Sequence, residues 1–118
     1  MARRPAVRNS SAQGVAKLPP GKMFAVTLCH GPAWNTEFSM EMQPDWEAHA
    51  AYMDRLAAEG SVFIGGPLDD TPYVLIAFRA ESAAEAGSKL AGDPWVAERR
   101  LEITRVAPWT LRLGADRV

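Results

Sequence analysis

The stretch Asp45-Trp-Glu-Ala-His-Ala-Ala-Tyr-Met-Asp-Arg-Leu-Ala-Ala-Glu-Gly60, followed directly by Ser61-Val-Phe-Ile-Gly-Gly-Pro67, decides how this chain folds. Trp46, Ala50, Met53, Leu56 and Ala57 recur at offsets of three and four, while Asp45, Glu47, Asp54, Arg55 and Glu59 fill the remaining arc. That is the period of a helix with one apolar stripe. Pro44 suits its first turn, where a missing N–H is harmless, and Gly60 suits its C-terminal end. His49 falls inside the stripe, three after Trp46 and four before Met53. A polar group buried there without a partner costs about 1–3 kcal/mol. Either a core carbonyl or water satisfies it, or the site uses it for chemistry.

Working outward, Phe24 to Cys29 reads as a strand rich in aromatic and β-branched residues, ending near His30-Gly31-Pro32. Ala33 to Met42 is a loop carrying Trp34, Phe38, Met40 and Met42, an apolar density that predicts folding over a pocket or a partner subunit. Ser61 to Gly65 is a second strand, and the turn Gly66 to Pro72 leads to a third, Tyr73 to Arg79, pairing as a hairpin. Ser82 and Glu85 have capping-box spacing, which opens a second helix to about Leu90 with Ala83, Ala86, Leu90 and Gly87 on its inner face. Asp93-Pro94 starts a short helical turn, and Leu101 to Trp109 is the last strand, with Glu102, Thr104 and Val106 alternating with Ile103, Arg105 and Ala107. The order βαββαβ, with two right-handed crossovers, predicts an α+β ferredoxin-like protomer: a four-stranded antiparallel sheet with both helices on one face. The other face would leave a large apolar patch in water, so two sheets are expected to stack in a homodimer.

The length of 118 residues fits one domain, and no apolar run approaches the roughly 20 residues that span a bilayer. The net charge of −1 conceals an asymmetry: residues 1–22 hold +5 with no acid, and the rest holds −6. We expect 1–22 to be a disordered basic extension rather than a secretory signal, with Met23 a plausible alternative start, 23–113 to be the folded domain, and 114–118 to fray. A basic tail on an acidic body is a poor footprint for nucleic acid. Cys29, the single cysteine, can form no intrachain disulfide, and a free thiol in an apolar strand fits the cytoplasm.

The series His49 to Gly60, Val62 to Pro67, Asp93-Pro94-Trp95-Val96 and Pro108-Trp109 resembles the YCII-related (YciI-like) family over residues 23–113. The resemblance implies a dimeric α+β barrel of ferredoxin-like protomers. It also implies a His-Asp dyad, here His49 and Asp93, at a cleft, and a chemistry of elimination or proton transfer on a small oxygenated ring. The chain departs from the family where Pro44-Asp45-Trp46 stands in place of a cation ahead of the histidine, so an anionic substrate has no local clamp. Trp34, Trp46 and Trp95 would instead stack on a flat ring, with Gly66 and Pro67 shaping the pocket rim.

A carboxylate on one imidazole nitrogen fixes the tautomer and frees the other nitrogen to move a proton. Asp followed by Pro is also a helix cap, and one carboxylate can serve both roles. His30 and Cys29 are neighbours in a strand and point to opposite faces, so no metal site is expected, and no glycine-rich phosphate loop or other cofactor motif occurs. Two functions remain open. One is a cofactor-independent lyase or isomerase using His49 and Asp93, and the other is a non-catalytic dimer binding a small ligand in the same cleft.

Overall fold

Strand β1 (Lys22–His30) is central because both of its edges are paired, to β3 (Tyr73–Ala80) and to β4 (Leu101–Pro108), while β2 (Val62–Pro67) pairs with β3. The computed structural model describes residues 21–117. The sheet order is β2-β3-β1-β4, and all three pairings are antiparallel. Three helices complete the fold: α1 (Trp46–Ala58), α2 (Ala83–Ala91) and the short α3 (Pro94–Ala97). This is the predicted α+β ferredoxin-like order, with α3 as the short turn after Asp93. No helix among the described residues is long and apolar enough to cross a membrane.

One rung shows how the core assembles. Val26 lies opposite Ile76 on β3 and Val106 on β4, and is fully buried. Phe24, Leu28, Val74 and Phe78 continue the same face, since alternate residues of a strand share a side. Helix α2 closes on this layer with Ala86 and Leu90, whereas Ala83, expected on its inner face, is exposed. Its capping box differs by one residue from the reciprocal pattern: Ser82 Oγ accepts from the Glu85 N–H at 3.1 Å, but the Glu85 carboxylate accepts from the Glu81 N–H at 2.6 Å.

Helix α1 begins two residues later than Pro44, at Trp46, after Asp45 takes a left-handed conformation with φ of 62°. It ends as the glycine predicts. Gly60 has φ of 92°, and the Gly60 and Ser61 amides donate back to the carbonyls of Ala57 and Leu56 at 3.1 and 2.9 Å, a Schellman closure.

Three expectations need correction. The alternation read along β4 breaks at Thr104, an extra residue between Arg105, which faces Thr27, and Ile103, which faces Leu28. Its Oγ1 donates to the Thr27 carbonyl at 3.0 Å, and the bulge lets both Ile103 and Val106 pack against the core. Lys22, assigned to the basic extension, opens β1, and the remainder of that extension, 1–20, lies outside the described residues. Ala115–Arg117, assigned to a frayed tail, forms a 3-10 turn.

The sheet face turned away from the helices carries Ile64, Tyr73 and Leu75, with Trp109 just beyond β4, and these are 64, 46, 37 and 40 % exposed.

Candidate functional site

The apolar stripe of α1 meets the core at Leu56, Trp46 and Met53 and touches the sheet along β2, but stands off the central strands. Only Leu56 on this helix is buried, and a cavity of about 800 Å3 separates the stripe from those strands. Trp46, His49, Ala50, Met53 and Ala57 form its helical wall, while Leu28, Val74, Ile76 and Leu101 form its floor. The rim is Met40 from the loop after β1 and the run Val62 to Pro67. At Gly65 a Cβ would come within 3.0 Å of Ile76 Cγ1, so glycine keeps β2 close to β3 beside the cavity.

His49 and Asp93 meet at this cavity. The imidazole Nδ1 lies 2.8 Å from Asp93 Oδ2 and 3.0 Å from Oδ1, with the histidine side chain 12 % exposed and the aspartate 1 %. Asp93 is placed by its own helix: as N-cap of α3 it accepts from the Trp95 N–H at 3.2 Å through Oδ1, and Pro94 fills the first helical position. The capping and pairing roles coexist on one carboxylate.

Trp95 is the third part of the arrangement. Its ring stacks on the imidazole of His49 at 3.9 Å with an interplanar angle of 6°, and its indole N–H donates to the Pro44 carbonyl at 2.7 Å. Fully buried, it ties the start of α1 to the cap of α3 and backs the histidine. The expectation that Trp95 stacks on a ligand is therefore corrected, because no face of it reaches the cavity.

Trp34 is likewise placed behind the site. It meets Trp95 edge-on at 5.5 Å and stacks on His30 at 3.8 Å, and it is not among the cavity walls. Burial holds the His30 imidazole below its ordinary value. Of the tryptophans named from sequence, Trp46 lines the cavity, as do Gly66 and Pro67.

The loop before α1 is folded over this end of the cavity by a residue the sequence did not single out. Gln43, 3 % exposed, accepts from the Asn35 N–H at 3.1 Å and donates to the carbonyls of Asn35 and Phe38 at 2.7 and 3.2 Å. Met40 and Trp34 turn inward, while Phe38 and Met42 are exposed. Arg100 secures the loop's start through the Ala33 carbonyl and pairs with Glu98.

The carboxylic side chains of the cavity wall are Asp54 and Asp93, and among the described residues no lysine or arginine lines it. Among the described residues no cluster of three or more histidine, cysteine, aspartate or glutamate side chains could hold a metal ion. What the arrangement can do is move a proton at an imidazole whose orientation is fixed from one side by a carboxylate and from another by an indole face.

No curated protein and no solved structure matches the chain. The family model of the YCII-related domain matches residues 23–110, from the first core residue of β1 past the end of β4, and the chain belongs to that family.

Proposed function

We propose that the cavity is the active site of a cofactor-independent lyase or isomerase that carries out elimination or proton transfer on a small cyclic or aromatic oxygenated compound. His49 is the general base and acid, and Asp93 orients it and stabilises its protonated form. One observation carries this reading: both oxygens of a buried carboxylate sit on Nδ1, while among the described residues Nε2 of the same ring has no hydrogen-bond partner. A histidine serving only the core would have both nitrogens satisfied. Trp46 offers the aromatic surface for a ring, and Gly66 and Pro67 shape the rim.

General acid–base groups contribute about 10²–10⁴-fold to a rate. In a screen of enolisable and phenolic ring compounds, His49→Gln should therefore reduce turnover of any hit by that factor. Retention of turnover in His49→Gln overturns the assignment. The mainly apolar cavity wall also supports a second reading, a dimer that binds a small ligand without chemistry; in that case no compound turns over and His49→Gln leaves ligand affinity nearly intact.

The protein is further proposed to act as a homodimer through the exposed sheet face, where Ile64, Tyr73, Leu75 and Trp109 would otherwise remain in water. Leu75→Asp should convert the dimer to a monomer in sedimentation equilibrium. The half-buried free thiol of Cys29 supports a reducing compartment, the cytoplasm.

A further inference from the structure

We infer that the cavity takes an uncharged weak acid, which donates an X–H bond to His49 Nε2, and that it rejects ligands arriving as carboxylates or phosphates. This rests on the reading of His49 as the working group of the cavity and adds the ligand's charge and hydrogen-bond polarity.

The polarity follows from Asp93. Its carboxylate is 1 % exposed, accepts from the Trp95 N–H at 3.2 Å, and places its oxygens 2.8 and 3.0 Å from His49 Nδ1. An ionised carboxylate only accepts, so the proton between the two groups belongs to Nδ1. In the neutral imidazole the other nitrogen is then a bare acceptor. Among the described residues Nε2 has no partner, so a ligand that reaches it must bring the hydrogen.

The charge follows from the walls. The buried carboxylate of Asp93 lies at the wall, among the described residues no lysine or arginine lines the cavity, and the remaining surface is mostly apolar. An anion would lose its hydration against the apolar walls and approach the buried Asp93 carboxylate, a like charge that is poorly screened there. A neutral acid avoids both costs on entry. When the proton moves, the X–H bond breaks, the N–H bond forms at Nε2, and the electron pair stays on X. The imidazolium then lies between Asp93 and the new ligand anion, so the complex changes no net charge and the anion acquires a counter-ion only after it has formed.

The test compares two probes of one shape, 4-ethylphenol and 4-ethylbenzoate, at about pH 7.5, where a phenol is neutral and a carboxylic acid is ionised. Binding to the full-length protein is followed by Trp46-sensitive fluorescence and by the 15N resonances of the His49 ring. The phenol should bind at least tenfold more tightly and move the Nε2 resonance. In Asp93→Asn, whose side chain still caps α3, the amide allows either tautomer and the preference should narrow severalfold. Equal or tighter binding of the benzoate, with Nε2 responding, overturns this inference and leaves the role of His49 standing. No response of Nε2 to either probe overturns both.

Discussion

The two crossover helices occupy equivalent places in the fold and do opposite things. Helix α2 lies close on β3 and β4 because its inner position Ala86 is small, with Leu90 filling the remaining depth. Gly87, expected on the same face, points into open space, where an added Cβ would meet nothing. Helix α1 has bulkier inner residues, Trp46, His49 and Met53, and stands off the sheet, touching it chiefly along β2. The space so opened is the cavity, and the polar pair sits at its inner end. One half of the helical layer supplies stability, and the other half trades packing for a site. An apolar stripe at helical spacing thus marks the side facing inward without saying whether a neighbour fills it.

The sharpest way to break this contrast is a matched pair of truncations. Leu90→Ala should cost about 2–5 kcal/mol, as expected for a leucine with 1 % exposure in a close-packed layer. Met53→Ala removes a side chain that already borders open space, so its cost should stay below about 1 kcal/mol. Urea denaturation of the two variants measures both. Comparable losses would mean that α1 packs as tightly as α2 and that the cavity is not open in solution.

A second pair separates the two jobs of Asp93. Asp93→Ala removes the cap on the Trp95 N–H and the partner of His49 together, and should destabilise the fold by about 1–2 kcal/mol. Asp93→Asn keeps a good capping side chain, so it should cost much less while mixing the His49 tautomers, visible as averaged ring 15N shifts. If the asparagine variant destabilises as much as the alanine one, the charge matters to the fold itself.

Substituting the backing indole should have a smaller effect again. Trp95→Phe retains an aromatic face against His49 but forfeits the N–H bond to the Pro44 carbonyl, worth about 0.5–1.5 kcal/mol with some added loss for the volume removed. The His49 ring resonances should broaden or split as its fixed orientation loosens. Unchanged, single resonances would show that Asp93 alone holds the ring.

These contrasts also mark what the sequence could convey. The order of strands and helices was legible because period and punctuation carry it: the stripe of α1, the Ser82 cap, Asp93-Pro94 and Gly60 all lie where their chemistry places them. The partnership of His49 with Asp93 was not visible in any spacing, since 44 residues separate them, and was reached only through the family resemblance. A pocket is expected, but its extent under α1 is hidden because Ala50 and Met53 follow the same period whether they face a neighbour or a void. Nothing in the sequence distinguishes a ring that stacks on a ligand from one that stacks on a histidine, so Trp34 and Trp95 read as ligand-side residues until the structure turns them away. Gln43 gave no warning either, being a polar residue in a loop that turns inward to bind that loop's own backbone. The Thr104 bulge is illegible in the sequence for a different reason. One inserted residue moves everything beyond it to the other face, and only the partner strand reveals the insertion.

The two ends of α1 offer the finest test of how the helix is held off the sheet. At its C-terminal end the Ser61 hydroxyl and the Lys89 ammonium keep the Glu59 carboxyl below its ordinary range, so Glu59 adds stability that is complete above that range and is lost as the pH falls through the lowered value. At its N-terminal end a hydrogen bond with Asp45, helped by burial and opposed by Arg100, raises Glu98. The sign there is reversed: stability is greatest when Glu98 is protonated and declines as the pH rises through the raised value. Both groups are solvent-accessible, so each effect should amount to a few tenths of a kcal/mol. As the pH rises from the lowered Glu59 value to the ordinary carboxylate value of 4.5, the urea midpoint of Glu59→Gln should fall progressively below that of the parent protein and then run parallel to it. That of Glu98→Gln should rise above the parent only as the pH climbs from 4.5 through the raised Glu98 value. Parallel trends in the two variants would mean that the ends of α1 are not held by opposite electrostatics, leaving the packing of Leu56 and the Gly60 closure to position the helix.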